Sequence, residues 1–130
     1  ALSVSADRAY IRIEFDLFKT LLLNIADNAS KADSTQITIS GTYSMGKYRI
    51  RIIDNGRGMP EEQLNRITEA FYMIDKSRSR KQHGAGLGLA IAKKIADIHG
   101  TELQFRSSIG AGTTVQVELP AVLAEDDDEA

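Results

Sequence analysis

Apolar and polar positions alternate along this chain with two periods, and the change from one to the other marks its elements. Phe18, Leu21, Leu22, Ile25, Ala29 and Ala32 recur at helical spacing. At about 100° per residue they fall within a sector of about 100°, the width of a core-facing stripe. The spacing predicts a helix ending near Ala32, with Asp16 placed to cap its start. Period-two alternation predicts strands over Tyr10–Ile13, Gln36–Tyr43 and Lys47–Asp54, the last two forming a hairpin through Ser44, Met45 and Gly46. Ile37, Ile39, Ile50 and Ile52 supply its buried face. Pro60 opens a short helix in PEEQLNRI. A longer helix carries Leu87, Ile91, Ile95 and Ile98 on a stripe expected to pack on the sheet. It stops at His99-Gly100, where a partly positive histidine suits the helix dipole. Two further strands, Glu102–Arg106 and Thr113–Leu119, follow, the second turning Val115, Val117 and Leu119 inward.

The polar exceptions to this pattern carry the chemistry. Asn24, Asn28 and Lys31 form a line within about 60° on the first helix, bordering its apolar stripe rather than opposing it. The second hairpin strand ends in DNGRGMP, so Asp54 stands at a strand end beside Gly56, Gly58 and Met59. The stretch FYMIDKSRSRKQHGAGLGLAIAKKI, Phe71 to Ile95, passes from an aromatic pair through Lys76, Arg78, Arg80 and Lys81 to Gly84, Gly86 and Gly88 and then into the helix. Glycines admit a ligand close to the backbone. The amides of Gly86, Leu87, Gly88 and Leu89 lie near a helix start, where unpaired N–H groups favour an anion such as phosphate. No Gly-Lys-Ser/Thr follows, so this is not a Walker loop, and the dinucleotide spacing is absent too. A last glycine turn, SSIGAGT, leads into Gly112-Thr113.

Composition narrows the classes. A chain of 130 residues, 42% hydrophobic with two prolines, suits one compact domain, here 1–122, followed by an acidic and disordered tail at 123–130. A formal charge of −2 argues against nucleic acid or an anionic membrane as a partner, and the KSRSRK run lacks the interleaved aromatics of a base-stacking surface. The absence of cysteine excludes disulfides and thiolate metal sites. Apolar runs of a few residues fall far short of the roughly 20 that cross a bilayer, and no signal peptide is seen, so the chain reads as soluble.

Four signals in this order strongly resemble the nucleotide-binding catalytic domain of bacterial sensor histidine kinases, within the GHKL ATPase superfamily that also holds gyrase, the ninety-kilodalton heat-shock chaperones and mismatch-repair ATPases. The matching segments are LLLNIADNASKA, DNGRGM, EAFYMIDKSRSR, GAGLGLAI and the final GTT, and together they cover roughly Phe15 to Pro120. The resemblance implies an α/β fold, a two-layer sandwich of a mixed sheet of about five strands covered by three helices, with ATP between the first helix and a lid. It places Asn28 as the Mg²⁺ ligand, a hard amide oxygen suited to that ion. Lys31 becomes a phosphate contact and Asp54 the acceptor of adenine's exocyclic amine, with Gly56, Gly58 and Met59 beside it. Thr113 joins the base network. Phe71, Lys76, Arg78 and Arg80 belong to a mobile lid, and Gly84, Gly86, Leu87, Gly88 and Leu89 cradle the phosphates.

One position in keeping with the kinase branch and one departure from its pattern shape the expected activity. Asn24 stands where gyrase-type relatives carry a glutamate that activates water, and an amide cannot be that base, which favours transfer to a placed acceptor over hydrolysis. Met73 replaces an arginine common before the lid, leaving Arg78 or Arg80 to substitute. Neither His83 nor His99 sits in the context of a phosphoacceptor, so the chain reads as the cytoplasmic ATP-binding part of a larger dimeric kinase anchored in the inner or plasma membrane. Its partners would be ATP, a histidine-bearing dimerisation domain and, indirectly, a response regulator. A serine kinase of the anti-sigma type and a nucleotide sensor without catalysis share the same motifs and stay open.

Overall fold

The structure, a computed structural model, describes residues 2–69 and 87–123. Its elements in chain order are β1 (Leu2–Ala6), β2 (Ala9–Ile11), α1 (Phe15–Lys31), β3 (Ile37–Ser44), β4 (Lys47–Asp54), a 3-10 turn (Glu61–Gln63), α2 (Gly88–Ile98), β5 (Gln104–Ser108) and β6 (Gly112–Leu123). They form a six-stranded mixed sheet ordered β1-β3-β4-β6-β2, with β5 also on β6. Only β1 with β3 is parallel; the other pairs are antiparallel. The two-layer α/β sandwich expected from the resemblance is thus present, with one strand more than expected and, among the described residues, two α-helices and the 3-10 turn in place of three helices.

The central sheet follows the alternation closely. Ile50, Ile52, Val115, Val117 and Leu119 are buried, and Ile37 and Ile39 pack half-buried against them. The hairpin is tighter than expected. Ser44 pairs with Lys47 within the ladder, so Met45 and Gly46 alone make the turn, both with positive φ, +50° and +80°, as a mirror-image two-residue turn requires. On α1 the predicted stripe is inside: Phe18, Leu21, Ile25 and Ala29 are buried. Its start differs from expectation. Glu14 is the N-cap residue, without a side-chain cap bond, and Asp16 lies in the first turn, where its charge favours the dipole instead.

The apolar face of α2 is also not the expected one. Leu89, Ala92, Ile95 and Ala96 are buried, whereas Leu87, Ile91 and Ile98 are 37%, 43% and 58% exposed. Apolar residues cover about half of this helix, with Lys93, Lys94 and Asp97 opposite, so periodicity alone leaves its orientation open within that broad sector. Ala92 and Ala96, both fully buried, let α2 lie close beside α1 over the sheet. His99 joins the two helices. Its Nε2 accepts from the Glu14 N–H at 2.9 Å, and its Nδ1–H donates to the Ile95 carbonyl at 2.8 Å. Its ring meets Phe18 edge-on at 5.4 Å. The ring therefore accepts at the start of α1 and donates at the end of α2.

Candidate functional site

The carboxyl end of β4 is where the sequence signals converge. Asp54 is buried at 7% exposure, as is Thr113 opposite it on β6. Asp54 Oδ1 accepts the Gly56 N–H at 2.8 Å, which closes the DNGRG turn beneath the carboxylate. A carboxylate offers about four lone-pair sites, so Asp54 keeps acceptor capacity after this bond. A buried acceptor with lone pairs to spare suits a site that receives a donor.

The turn is stitched to the end of α1. The Arg57 N–H donates to the Ala32 carbonyl at 2.9 Å, and its guanidinium to the Lys31 carbonyl and Asp33 at 3.2 Å each. Asn55 Oδ1 accepts both the Thr35 and Gln36 amides at 2.9 Å. These bonds set Asp54 beside the helix that carries Asn24, Asn28 and Lys31. Asn28 is exposed and Asn24 half-buried. Lys31 is ion-paired with Asp27 at 3.0 Å on the same helix face. A Cβ on Gly88 would lie 3.6 Å from the Asn24 carboxamide oxygen, so the polar line of α1 runs up to the first residue of α2. Leu87, which precedes α2, forms no side-chain cap. The amides of the first turn, Leu89 among them, therefore carry the unpaired donors of a helix start, while the Leu89 side chain enters the core.

Two glycines hold the other wall. Gly58 has φ +72°, and a Cβ there would strike the Ser108 carbonyl; Gly112 has φ +82°, and a Cβ there would strike the Asp54 carbonyl. Both positions combine left-handed backbone with direct backbone contact, which leaves glycine alone. Met59 is half-buried against the core, and its N–H donates to Ser107 Oγ at 2.9 Å. Ser107 Oγ also meets Thr113 Oγ1 and the Gly112 carbonyl, each at 2.9 Å. Sequence reading passed over Ser107; the available signal was the serine that opens SSIGAGT, on a strand that pairs with the Thr113 strand. A groove lined by Arg51, Ile53, Gln104, Arg106, Thr114 and Gln116 belongs to the opposite face of the sheet, away from Asp54.

Among the described residues, contacts link Asp54, Gly56, Gly58, Met59 and Thr113 into one cluster and set Asn24 beside Gly88, while Asn28 and Lys31 lie on α1, Leu87 precedes α2 and Leu89 lies in its first turn. Phe71, Lys76, Arg78, Arg80, Gly84 and Gly86, along with Met73 and His83, lie outside the described residues, as does 124–130 of the acidic tail.

Comparison with known proteins gives the family and the fold. Residues 14–123 match the family described as histidine kinase-, DNA gyrase B-, and HSP90-like ATPase. Among curated proteins, the sensor histidine kinase YkoH of Bacillus subtilis is 38% identical over 91% of this chain and 26% of its own length. The signal transduction histidine-protein kinase ArlS of Staphylococcus aureus is 39% identical over 82% of this chain and 24% of its own length. The chain spans about a quarter of these relatives. Among solved structures, the mycobacterial sensor histidine kinase MprB superposes with a TM-score of 0.80 at 24% identity, over 95% of this chain and 83% of that one, a likeness of fold. Full-length ShkA in complex with AMPPNP gives 0.78 at 25% identity, over 97% of this chain and 27% of that one.

Proposed function

Because the chain belongs to the histidine kinase-, DNA gyrase B- and HSP90-like ATPase family, we propose that it binds Mg-ATP and donates the γ-phosphoryl group to a histidine on a separate, dimerising domain of a two-component sensor kinase. The observation that carries this reading is the buried Asp54 carboxylate, 7% exposed, with one oxygen committed to the Gly56 amide and acceptor capacity left over. Adenine offers an exocyclic amine to such a group. Guanine offers a carbonyl in the same place and would leave two acceptors opposed, about 1 to 3 kcal/mol worse. ShkA, a structural relative, is named as a complex with an ATP analogue.

The residues take these roles. Asp54 and Thr113 read the base, and the backbone of Gly56, Gly58 and Met59 lines its pocket. The first-turn amides of α2, with Gly84, Gly86, Leu87, Gly88 and Leu89, hold the phosphates. Asn28 supplies an oxygen to Mg²⁺ from an exposed face of α1, where the amide carbonyl suits a hard cation. When bound, the ion neutralises charge on the β- and γ-phosphates. Lys31 turns from Asp27 to a phosphate oxygen, and Phe71, Lys76, Arg78 and Arg80 cover the triphosphate. Asn24 orients its surroundings without abstracting a proton, which favours phosphoryl transfer over hydrolysis.

The parent is a dimer anchored in a membrane, and this domain lies on its cytoplasmic side, with the response regulator reached only through the phosphohistidine. No helix among the described residues is long and apolar enough to cross a membrane. The kinship to named sensor histidine kinases favours this reading over an anti-sigma-type serine kinase or a nucleotide sensor without catalysis. Calorimetry with ATP, ADP and GTP tests it. The wild type should bind ATP and ADP but not GTP, and Asp54→Asn should weaken ATP at least tenfold, about 1.4 kcal/mol. Equal affinities for ATP and GTP would refute the assignment of Asp54.

A further inference from the structure

Ser107, Thr113 and Asp54 lie in one row across three strands. Thr113 on β6 is paired with Ser107 of β5 on one side and with Asp54 of β4 on the other. Ser107 Oγ has three neighbours, each at 2.9 Å: the Met59 N–H, the Gly112 carbonyl and the Thr113 hydroxyl. A hydroxyl owns one hydrogen and two lone pairs. The Met59 amide only donates and the Gly112 carbonyl only accepts, so Ser107 receives from the first and gives its hydrogen to the second. One assignment alone then makes all three bonds at once. Thr113 donates to Ser107, and what Thr113 retains is lone pairs.

On the ATP reading of this site, we infer that Ser107 is a specificity-determining positioning residue, which commits the Thr113 hydrogen and leaves the base pocket with acceptors only. Asp54 is an acceptor by its charge; Thr113 is one because Ser107 makes it so. A purine read by two acceptors has to bring donors. Adenine brings its amine, and a water that donates to Thr113 can donate its other hydrogen to the ring nitrogen beside it. A 6-keto purine sets its carbonyl oxygen against both groups. Without Ser107 the Thr113 hydroxyl is released to rotate and donate to that carbonyl, so discrimination weakens even though Thr113 and Asp54 are still present.

The test compares ATP with ITP, which differs at the position in question, by calorimetry on the wild-type chain, Ser107→Ala, Ser107→Thr and Thr113→Val. The ratio of the ITP to the ATP dissociation constant should fall at least about fivefold in Ser107→Ala and return to near the wild-type ratio in Ser107→Thr, which keeps the hydroxyl on a residue suited to a strand. Adding Ser107→Ala to Thr113→Val should leave the ratio of Thr113→Val unchanged, because the two residues act through one bond; where Ser107→Ala folds poorly, Ser107→Thr and Thr113→Val carry the test, the first keeping the wild-type ratio and the second lowering it. Equal weakening of both nucleotides in Ser107→Ala would assign Ser107 to the fold alone and overturn the inference, as would an unchanged ratio. A wild-type chain that binds ATP while these ratios stay constant sinks only the role of Ser107. A wild-type chain that binds no ATP sinks the reading of the site itself.

Discussion

Gly110 and Gly112 provide a matched pair for testing how the proposed base pocket is built. Their backbones are nearly the same, φ +83° and +82°, but a Cβ on Gly110 meets nothing within 4 Å, whereas one on Gly112 runs into the Asp54 carbonyl and lies 3.0 Å from the Asn55 Cα. Alanine at either position incurs the left-handed strain of an L-residue, about 1 to 2 kcal/mol, and gains the same small benefit from a stiffer unfolded chain, about 0.4 to 1 kcal/mol. Those effects cancel between the two. What remains is the overlap at Gly112, where the obstacle is backbone and not a flexible side-chain tip, and forcing such a shift costs about 1 to 3 kcal/mol. Against a total stability of about 5 to 15 kcal/mol, that difference is measurable. With a urea slope of about 1 to 3 kcal/mol/M, the midpoint of Gly112→Ala should fall roughly 1 M below that of Gly110→Ala. Folded Gly112→Ala should also bind ATP more weakly, since the displaced groups are Asp54 and the residue beside Thr113. Coincident urea midpoints for the two variants would refute the claim that the β6 start is pressed against Asp54.

Three further outcomes follow from named contacts. Tyr48 donates its hydroxyl to the Asp7 carbonyl at 2.8 Å, and burial first, then the Asp7 charge, raises its pKa above 10.0. The unfolded state therefore loses this proton first as pH rises. The stability it contributes is complete below pH 10.0 and is lost through the folded pKa, so Tyr48→Phe should flatten the alkaline decline in denaturation midpoints. His99→Ala, which removes the acceptor for the Glu14 amide and the edge contact on Phe18, should lower stability by about 1 to 2 kcal/mol in urea unfolding; an unchanged midpoint would dismiss the ring as a joint between helices. Asn28→Ala should abolish transfer of γ-labelled phosphate to the parent's histidine-bearing hairpin added in trans, and acid-labile phosphate on His83 or His99 of the isolated chain would overturn the division of labour.

What could be read from the residues, and what could not, separates along one physical line. Val115, Val117 and Leu119 announce β6 because one face of the strand is buried and the other is not, and Phe18 to Ala29 announce α1 for the same reason. Leu2 to Ala6 announce nothing: every residue of β1 is exposed, and its extended form comes from pairing with β3. On α2 the bulky Ile91 and Ile98 suggested the wrong face, because orientation is decided by the packing of α2 beside α1, with the small Ala92 and Ala96 fully buried, a tertiary fact. Asp54, Gly56 and Thr113 stood out because their chemistry is local to their motifs. Ser107 did not, since a serine before a glycine turn has no meaning until its strand is placed.

That placement is a matter of register. Ser107, Thr113 and Asp54 share a row only while Ser108 opposes Gly112 and Thr113 opposes Asp54. A slip of one residue along β6 would bring Thr114 into the row, and with it the opposite face of the sheet. The turn between β5 and β6 holds the register through Gly110, whose N–H donates to the Arg57 carbonyl at 2.8 Å, and through Ala111, whose N–H donates to the Ser108 carbonyl at 3.1 Å. Arg57 is in turn tied to the end of α1. The turn that aligns this row is therefore bonded to the segment that leads back to Asn28 and Lys31, so the two halves of the proposed nucleotide site share one backbone joint. Disturbing that joint should affect base selectivity and phosphate affinity together, whereas Ser107 lies beyond it and should move selectivity alone.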